Sequence, residues 1–347
     1  MPSRWCFAFT LSCAAFWASA SYAHHSFAEY DKTQTVEVSG TLVQFEWQNP
    51  HVHFRVRSLK DGRVTTWDIE GNSLSFLRRT NATPQLLKVG DRVTIAGWPS
   101  KASPVRLFAQ NLLTGDGHEL VLDPHTKARW QAGAIGLATT WKGGGSDSEP
   151  SRGIFRVWSS KVDDPEATPY SLWRTQYPLT ENAKKAVAKW DPVHDTVARG
   201  CAPKGMPTIM EQPYPMEFVR QGSKILQRLE EYDTVRTINM YGSAQATRAK
   251  KTLLGRSTGR WDGASLVVTT TGISWPFIDP NGVPQSRSST LVERFTPAPD
   301  GTRLQYTLTI TDPETFTTPV VLKRAWVSRP GERVNKYNCV PRSPARK

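Results

Sequence analysis

Asp-Gly pairs at Asp61-Gly62, Asp262-Gly263 and Asp300-Gly301 each sit between two runs of alternating apolar and polar residues. Both central positions of the tightest β-hairpin turn need positive φ, which Asp or Asn followed by Gly adopts most easily. Such punctuation commits the chain to antiparallel hairpins and therefore to an all-β fold. Register follows by arithmetic. A turn at Asp61-Gly62 places Val56 opposite Trp67 and Phe54 opposite Ile69 on an apolar face. The other face then pairs Arg55 with Asp68 and His53 with Glu70.

Around that hairpin the alternation predicts a strand over 35–47, with Gly40 as a bulge, then a short helix begun by Asn72 or Ser73. Strands over 91–98 and 106–113 follow. Three strands, a helix and two strands is the order of an OB-like small β-barrel, assigned to residues 24–120. Residues 121–151 read as a linker. The pattern fails there, and the Gly-Gly-Gly-Ser-Asp-Ser-Glu-Pro-Ser run at 143–151 is flexible by composition. His118 and His125 fall near its start and read as solvent-facing. Residues 152–347 hold a helix over 181–190, capped by Thr180, and then at least six strands at hairpin spacing. These suggest an antiparallel calycin-like β-barrel or strongly curved sheet.

Residues 1–23 read as a secretory signal peptide. Arg4 supplies the positive charge, an apolar stretch follows, and Ser21-Tyr22-Ala23 fits the small-x-small cleavage rule; Ala18-Ser19-Ala20 is an alternative. No later run is long and apolar enough to form a transmembrane segment. Export agrees with the cysteines. Cys6 and Cys13 leave with the signal, so Cys201 and Cys339 are expected to form one disulfide in the periplasm or outside the cell. The formal net charge is +13, of which Arg4 contributes one. No basic run concentrates it, so nucleic acid is not expected, and an anionic envelope component such as lipid head groups or polysaccharide is the better partner.

Four of the seven histidines form two pairs, His24-His25 and His51-Val52-His53. Cleavage after Ala23 would leave His24 with an α-amine and an imidazole on one residue, a good ligand set for copper. His51 and His53, about 7 Å apart along a strand, would complete the site. Glu70 and Asn49 would orient the ligands from behind. In the bland alternative Asn49-Pro50-His51 is a tight turn and the N-terminal histidines belong to a frayed tail.

The stretches Ala23-His-His-Ser-Phe-Ala-Glu-Tyr-Asp, Phe45-Glu-Trp-Gln-Asn-Pro-His and Lys88-Val-Gly-Asp-Arg-Val-Thr-Ile resemble a family of small exported bacterial proteins that carries a domain-of-unknown-function label. The resemblance covers roughly residues 20–120 and implies a secreted β-barrel module without an assigned activity. His53 departs from that pattern. The stretch beginning Leu254-Gly-Arg-Ser-Thr-Gly-Arg-Trp, with Glu293-Arg-Phe and Asp312-Pro313, resembles modules of uncharacterised exported bacterial proteins and carries no activity either.

In the second barrel a turn at Asp300-Gly301 pairs Phe295 with Tyr306, Glu293 with Leu308 and Leu291 with Ile310. Glu293 thus points inward, and Arg236 alternates in phase with Ile238 and Met240. Inward charges are costly unless paired, so the two are expected to meet. They either fix strand register or, with Tyr306, anchor a small, largely apolar ligand in a cavity. No Gly-x-Ser-x-Gly elbow, His-Glu-x-x-His helix or phosphate-cradling loop occurs. The expectation is an exported two-domain binding protein that takes up copper at its N-terminal histidines. A copper-dependent oxidoreductase, a barrel enzyme built around Glu293 and a metal-free envelope interaction module remain as alternatives.

Overall fold

The computed structural model describes residues 29–137, 152–240 and 250–341, apart from 124, 132, 163, 169–170, 175, 192–194, 196 and 198–199. The segment read as a signal peptide, His24, His25 and the glycine run at 143–151 lie outside the described residues. The chain forms two closed β-barrels, a smaller one followed by a larger one.

The first barrel contains β1 (Val36–Glu46), β2 (His53–Lys60), β3 (Arg63–Glu70), β4 (Arg92–Pro99) and β5 (Arg106–Thr114). Their order is β3-β2-β1-β4-β5, and a parallel β3–β5 pairing closes the ring. The helix α1 (Leu74–Leu77) comes between β3 and β4 and sends Phe76 and Leu77 into the core. This is the OB topology that the element order suggested. Ser73 is the cap, its Oγ accepting from Phe76 N at 3.1 Å. The β2–β3 register pairs Val56 with Trp67 and His53 with Glu70, and Asp61 and Gly62 both have positive φ, as a two-residue turn requires. The bulge expected at Gly40 lies instead between Leu42 and Gln44. Gly40 has another role: a Cβ there would come within 2.4 Å of the Arg57 carbonyl oxygen, so β1 approaches β2 this closely only with glycine.

Residues 119–137 do not behave as a linker where they are described. β6 (Glu119–Val121) pairs with β5. The buried Glu119 carboxylate then gathers the backbone N–H groups of Arg129, Trp130 and Gln131 at 2.6–2.7 Å, folding this segment onto the barrel. A single acidic side chain organising a loop leaves no periodic trace in the sequence.

The second barrel runs through β7 (Val157–Ser159), β8 (Met216–Gln221), β9 (Lys224–Leu229), β10 (Thr234–Met240), β11 (Arg256–Asp262), β12 (Ser265–Thr271), β13 (Thr290–Pro297), β14 (Arg303–Thr311) and β15 (Val320–Ser328) in sequential order, with β15 closing on β7. The helix α2 (Glu181–Lys189) lies in the connection from β7 to β8 and is capped by Thr180 Oγ1, which accepts from Ala183 N. Directions that alternate around a ring need an even number of strands. Nine strands therefore force one parallel joint, found between β10 and β11, so the barrel is not wholly antiparallel. The β13–β14 register places Glu293 opposite Leu308 and Phe295 opposite Tyr306. The β11–β12 turn is one residue later than its Asp-Gly pair suggested. Asp262 still pairs with Ser265, and Gly263, with φ +59°, opens the two-residue loop.

Candidate functional site

The residues selected from the sequence fall into two separate places. In the second barrel Arg236 and Glu293 are buried and meet. All five guanidinium N–H groups find acceptors. Nε donates to Ser257 Oγ at 2.9 Å, Nη1 to Gln227 Oε1 at 3.1 Å and Glu293 Oε1 at 3.0 Å, and Nη2 to Thr270 Oγ1 at 2.6 Å and to Glu293 Oε2. The Tyr306 hydroxyl donates to Glu293 Oε1 at 2.9 Å. These groups are consumed by one another, and the rings of Phe218, Phe295, Tyr306 and Trp326 pack in the same interior. The network ties β9, β10, β11, β12, β13 and β14 together across the lumen.

The histidine strand lies on the first barrel. His51 Nδ1 is 2.9 Å from the Gly71 carbonyl oxygen and 3.3 Å from Glu70 Oε1. A carbonyl only accepts, so Nδ1 donates its proton to Gly71 O. Tyr30 donates to Glu70 Oε2 at 3.0 Å, which fixes the start of the described chain beside His51. His53 is half-buried opposite Glu70. Among the described residues no three His, Cys, Asp or Glu side chains are grouped to hold a metal ion. Asn49 is fully buried and joins the barrels: its Nδ2 donates to Ser75 Oγ at 3.0 Å and to the Tyr337 carbonyl at 2.6 Å, and its Oδ1 accepts from Ser75 N at 3.1 Å.

A cleft lies beside that joint. After β15, residues 329–341 leave the second barrel and strap across the first. Val340 N donates to the Asn49 carbonyl at 3.0 Å, and Cys339 is disulfide-bonded to Cys201. Tyr337 is buried against Tyr214 and Tyr232, with ring centroids 5.9 and 5.0 Å away. From the other side, Arg79 of the first barrel donates to the Pro213 carbonyl and to Ser159 Oγ. Beside this seam the barrels leave a cleft of about 1100 Å³. Tyr30, His51 and Trp98 line it from the first barrel. Trp173, Tyr177, Trp190, Trp275 and Phe277 line it from the second.

Local chemistry positions the second wall. Trp190 ends α2 and meets Phe277 edge to face at 6.4 Å. Gly282, with φ +82°, allows this: a Cβ there would lie 2.3 Å from the Trp190 ring. Trp275 Nε1 donates to Thr208 Oγ1 at 2.8 Å, fixing the 3-10 turn Thr208–Glu211. Three carboxyl groups, Glu211, Glu231 and Asp279, line the cleft from this wall, and Glu231 is paired with Lys204. Asp279 accepts from Asn281 N and Val283 N at 3.0 and 3.1 Å, yet burial still raises its pKa. Burial pushes Glu211 up to about 7, against the opposing pull of Lys204, the Trp173 indole and Arg324. Tyr232, also in the wall, holds φ +55° and ψ 28°, a left-handed conformation that costs a non-glycine residue energy and recurs at functional sites.

Of the candidate site residues that are described, only His51 lines the cleft. Glu211, Asp279 and the aromatic wall escaped because they stand on turns and irregular segments. The abundance of tryptophan, 13 residues in 347, is the signal that could have drawn notice to them.

Residues 11–106 match a family described as a family of unknown function (DUF6152). The match takes in β1 to β4 and His51, and it leaves out the second barrel with its wall of the cleft. No curated protein matches the chain.

Proposed function

We propose that this chain is an exported binding protein whose ligand, a small ring-bearing organic molecule, sits in the cleft between the two barrels. The observation that carries this reading is the cleft itself: about 1100 Å³, walled by aromatic rings from both barrels and by ionisable groups of both signs. Small-molecule sites favour domain interfaces and have this kind of lining. Export is supported by the Cys201–Cys339 disulfide and by the signal-like residues 1–23. The experiment is ligand-observed NMR with a library of aromatic and cyclic fragments, on the full chain and on Val187→Trp. Val187 is a half-buried cleft residue on α2, and a tryptophan there would push into the cleft from the α2 wall and crowd a ring bound against it. Fragments should bind the native chain and lose saturation transfer with the variant. Equal binding by both would refute the cleft as the site.

A second reading is copper binding, supported by the Tyr30–Glu70–His51 contacts. His24 precedes Tyr30 by six positions, and an extended chain of that length reaches about 20 Å, which would let His24 and His25 approach His51. In this reading His53 is a further ligand and Asn49 and Glu70 hold the strand. Intact mass and metal content of protein from an exporting host decide it. About one copper per chain starting at His24, lost in His24→Ala, is expected; a chain starting at Ser21, or one that takes up no copper, would sink it.

A further inference from the structure

Strand register in the first barrel gathers charge that no run of the sequence concentrates. Residues 54–67 carry Arg55, Arg57, Lys60 and Arg63 against two acceptor-free stretches and a single acid, Asp61, in the turn. β1 pairs with β2 only as far as Thr41 opposite Arg57, and β5 meets β3 only from Asp68 onward. Residues 58–60 therefore pair with residues 63–65 and with no third strand, a two-stranded ribbon that continues past the closed ring.

Leu59 and Val64 stand opposite each other on this ribbon. They are 71% and 65% exposed, the two most exposed large apolar side chains among the described residues. Side chains two apart on a strand share a face, so Arg57 lies directly behind Leu59. Thr41 is flanked by Arg57 on one side and Arg92 on the other, which puts Arg92 in the same row. Arg57, Lys60, Arg63 and Arg92 are all exposed, and none of them forms an ion pair with a described residue. The seam with the second barrel is at the far end of the hairpin. His53 and Glu70 lie seven pairs back from Lys60 and Arg63, about 23 Å along the strand. None of the tip residues lines the cleft.

An apolar tip with a cationic collar fits one kind of surface. Charges alone on a free strand guard it against pairing with another chain, and apolar residues scattered singly need no explanation. An opposed apolar pair at the end of a projecting ribbon, with cations behind it and beside the turn, matches a bilayer with anionic head groups. Leu59 and Val64 leave water at the acyl boundary while the guanidinium and ammonium groups stay among the phosphates. A polysaccharide or nucleic acid would answer the cations and leave the apolar pair in water.

We infer that the tip of the β2–β3 hairpin docks the protein on an anionic lipid surface, with Leu59 and Val64 entering the interface and Arg57, Lys60, Arg63 and Arg92 holding head-group phosphates. The inference stands apart from the cleft, so either can fail without the other. The test is sedimentation of the full chain with vesicles of phosphatidylcholine, alone or mixed equally with phosphatidylglycerol, at about 20 mM and about 500 mM sodium chloride. Variants are Leu59→Ser with Val64→Ser, Lys60→Gln with Arg63→Gln, and a control pair on α2, Lys185→Gln with Lys189→Gln. Every substituted residue is exposed, and near-ultraviolet circular dichroism checks each fold.

The native chain should bind the mixed vesicles at low salt and bind neutral vesicles at least tenfold less. The serine pair should weaken binding about tenfold. The tip glutamine pair should weaken it about tenfold or more, and the α2 pair less than about twofold. No sedimentation with mixed vesicles at low salt would overturn the inference, as would equal losses in the α2 and tip glutamine pairs. A serine pair that binds as the native chain does would overturn it too, since the surface would then be purely electrostatic, of the kind a polysaccharide also meets.

Discussion

Glu211 has a folded pKa of about 7 against an ordinary value of 4.5, raised mainly by burial. The native state therefore holds this proton more tightly than the unfolded chain does. Its contribution to stability is fully present below pH 4.5 and is lost as pH rises through 7. Each tenfold difference in proton affinity between the two states is worth about 1.4 kcal/mol, so wild-type stability should fall by about 2–3 kcal/mol between pH 5 and 8 from this group. Glu211→Gln should flatten that part of the slope and be the more stable protein at pH 8. Urea unfolding of both proteins across this pH range checks it, and parallel slopes would contradict the assignment. Glu211 was not legible in the sequence because it stands on a 3-10 turn, where no periodicity says which side chains face inward. Glu293 was legible, since strict alternation along β13 left it no outward position.

In the second barrel the individual strands matter less than the polar knot that crosses them. Arg236 and Glu293 are both buried; Arg236 also bonds Ser257, Thr270 and Gln227, and Glu293 accepts from Tyr306. Removing one charge strands the other in a low-dielectric interior, which costs about 3–5 kcal/mol, whereas replacing both with apolar groups of similar volume is often neutral. Glu293→Leu should therefore lower the urea midpoint sharply, and Arg236→Met with Glu293→Leu should recover most of the loss. A double variant no better than the single would mean that Ser257, Thr270 and Gln227 cannot tolerate losing their partner. Strands bounded by Asp-Gly turns were readable because the turn sets the register of everything that follows. β7, with three residues, and the parallel β10–β11 joint were not, because neither is set by its sequence neighbours.

At the scale of the whole molecule, the barrels are joined by the strap at residues 329–341, and Asn49 is its anchor. Asn49→Ala removes three hydrogen bonds from a fully buried site and should cost about 2–4 kcal/mol. Hydrogen exchange should quicken in residues 335–341 and around α1 while the amides of β11–β14 keep their protection. Uniform loss of protection across both barrels would mean that the two halves unfold as one unit. The same joint bounds the cleft, so ligand binding and barrel docking should weaken together in this variant.

The sequence by itself determined the all-β class with a small N-terminal barrel and a larger C-terminal barrel or curved sheet, the β2–β3 and β13–β14 registers, the inward positions of Arg236 and Glu293 and the pairing of Cys201 with Cys339. The registers and inward positions follow from side-chain alternation and turn chemistry, and the disulfide was expected because only two cysteines would remain after removal of a signal segment. Tertiary structure alone decided where the barrels meet. The Asn49–Tyr337 contact spans 288 positions, and the cleft walls come from segments that no local pattern relates. A cleft is the space left between two docked bodies, so its lining depends on how distant surfaces fit and carries no period along the chain.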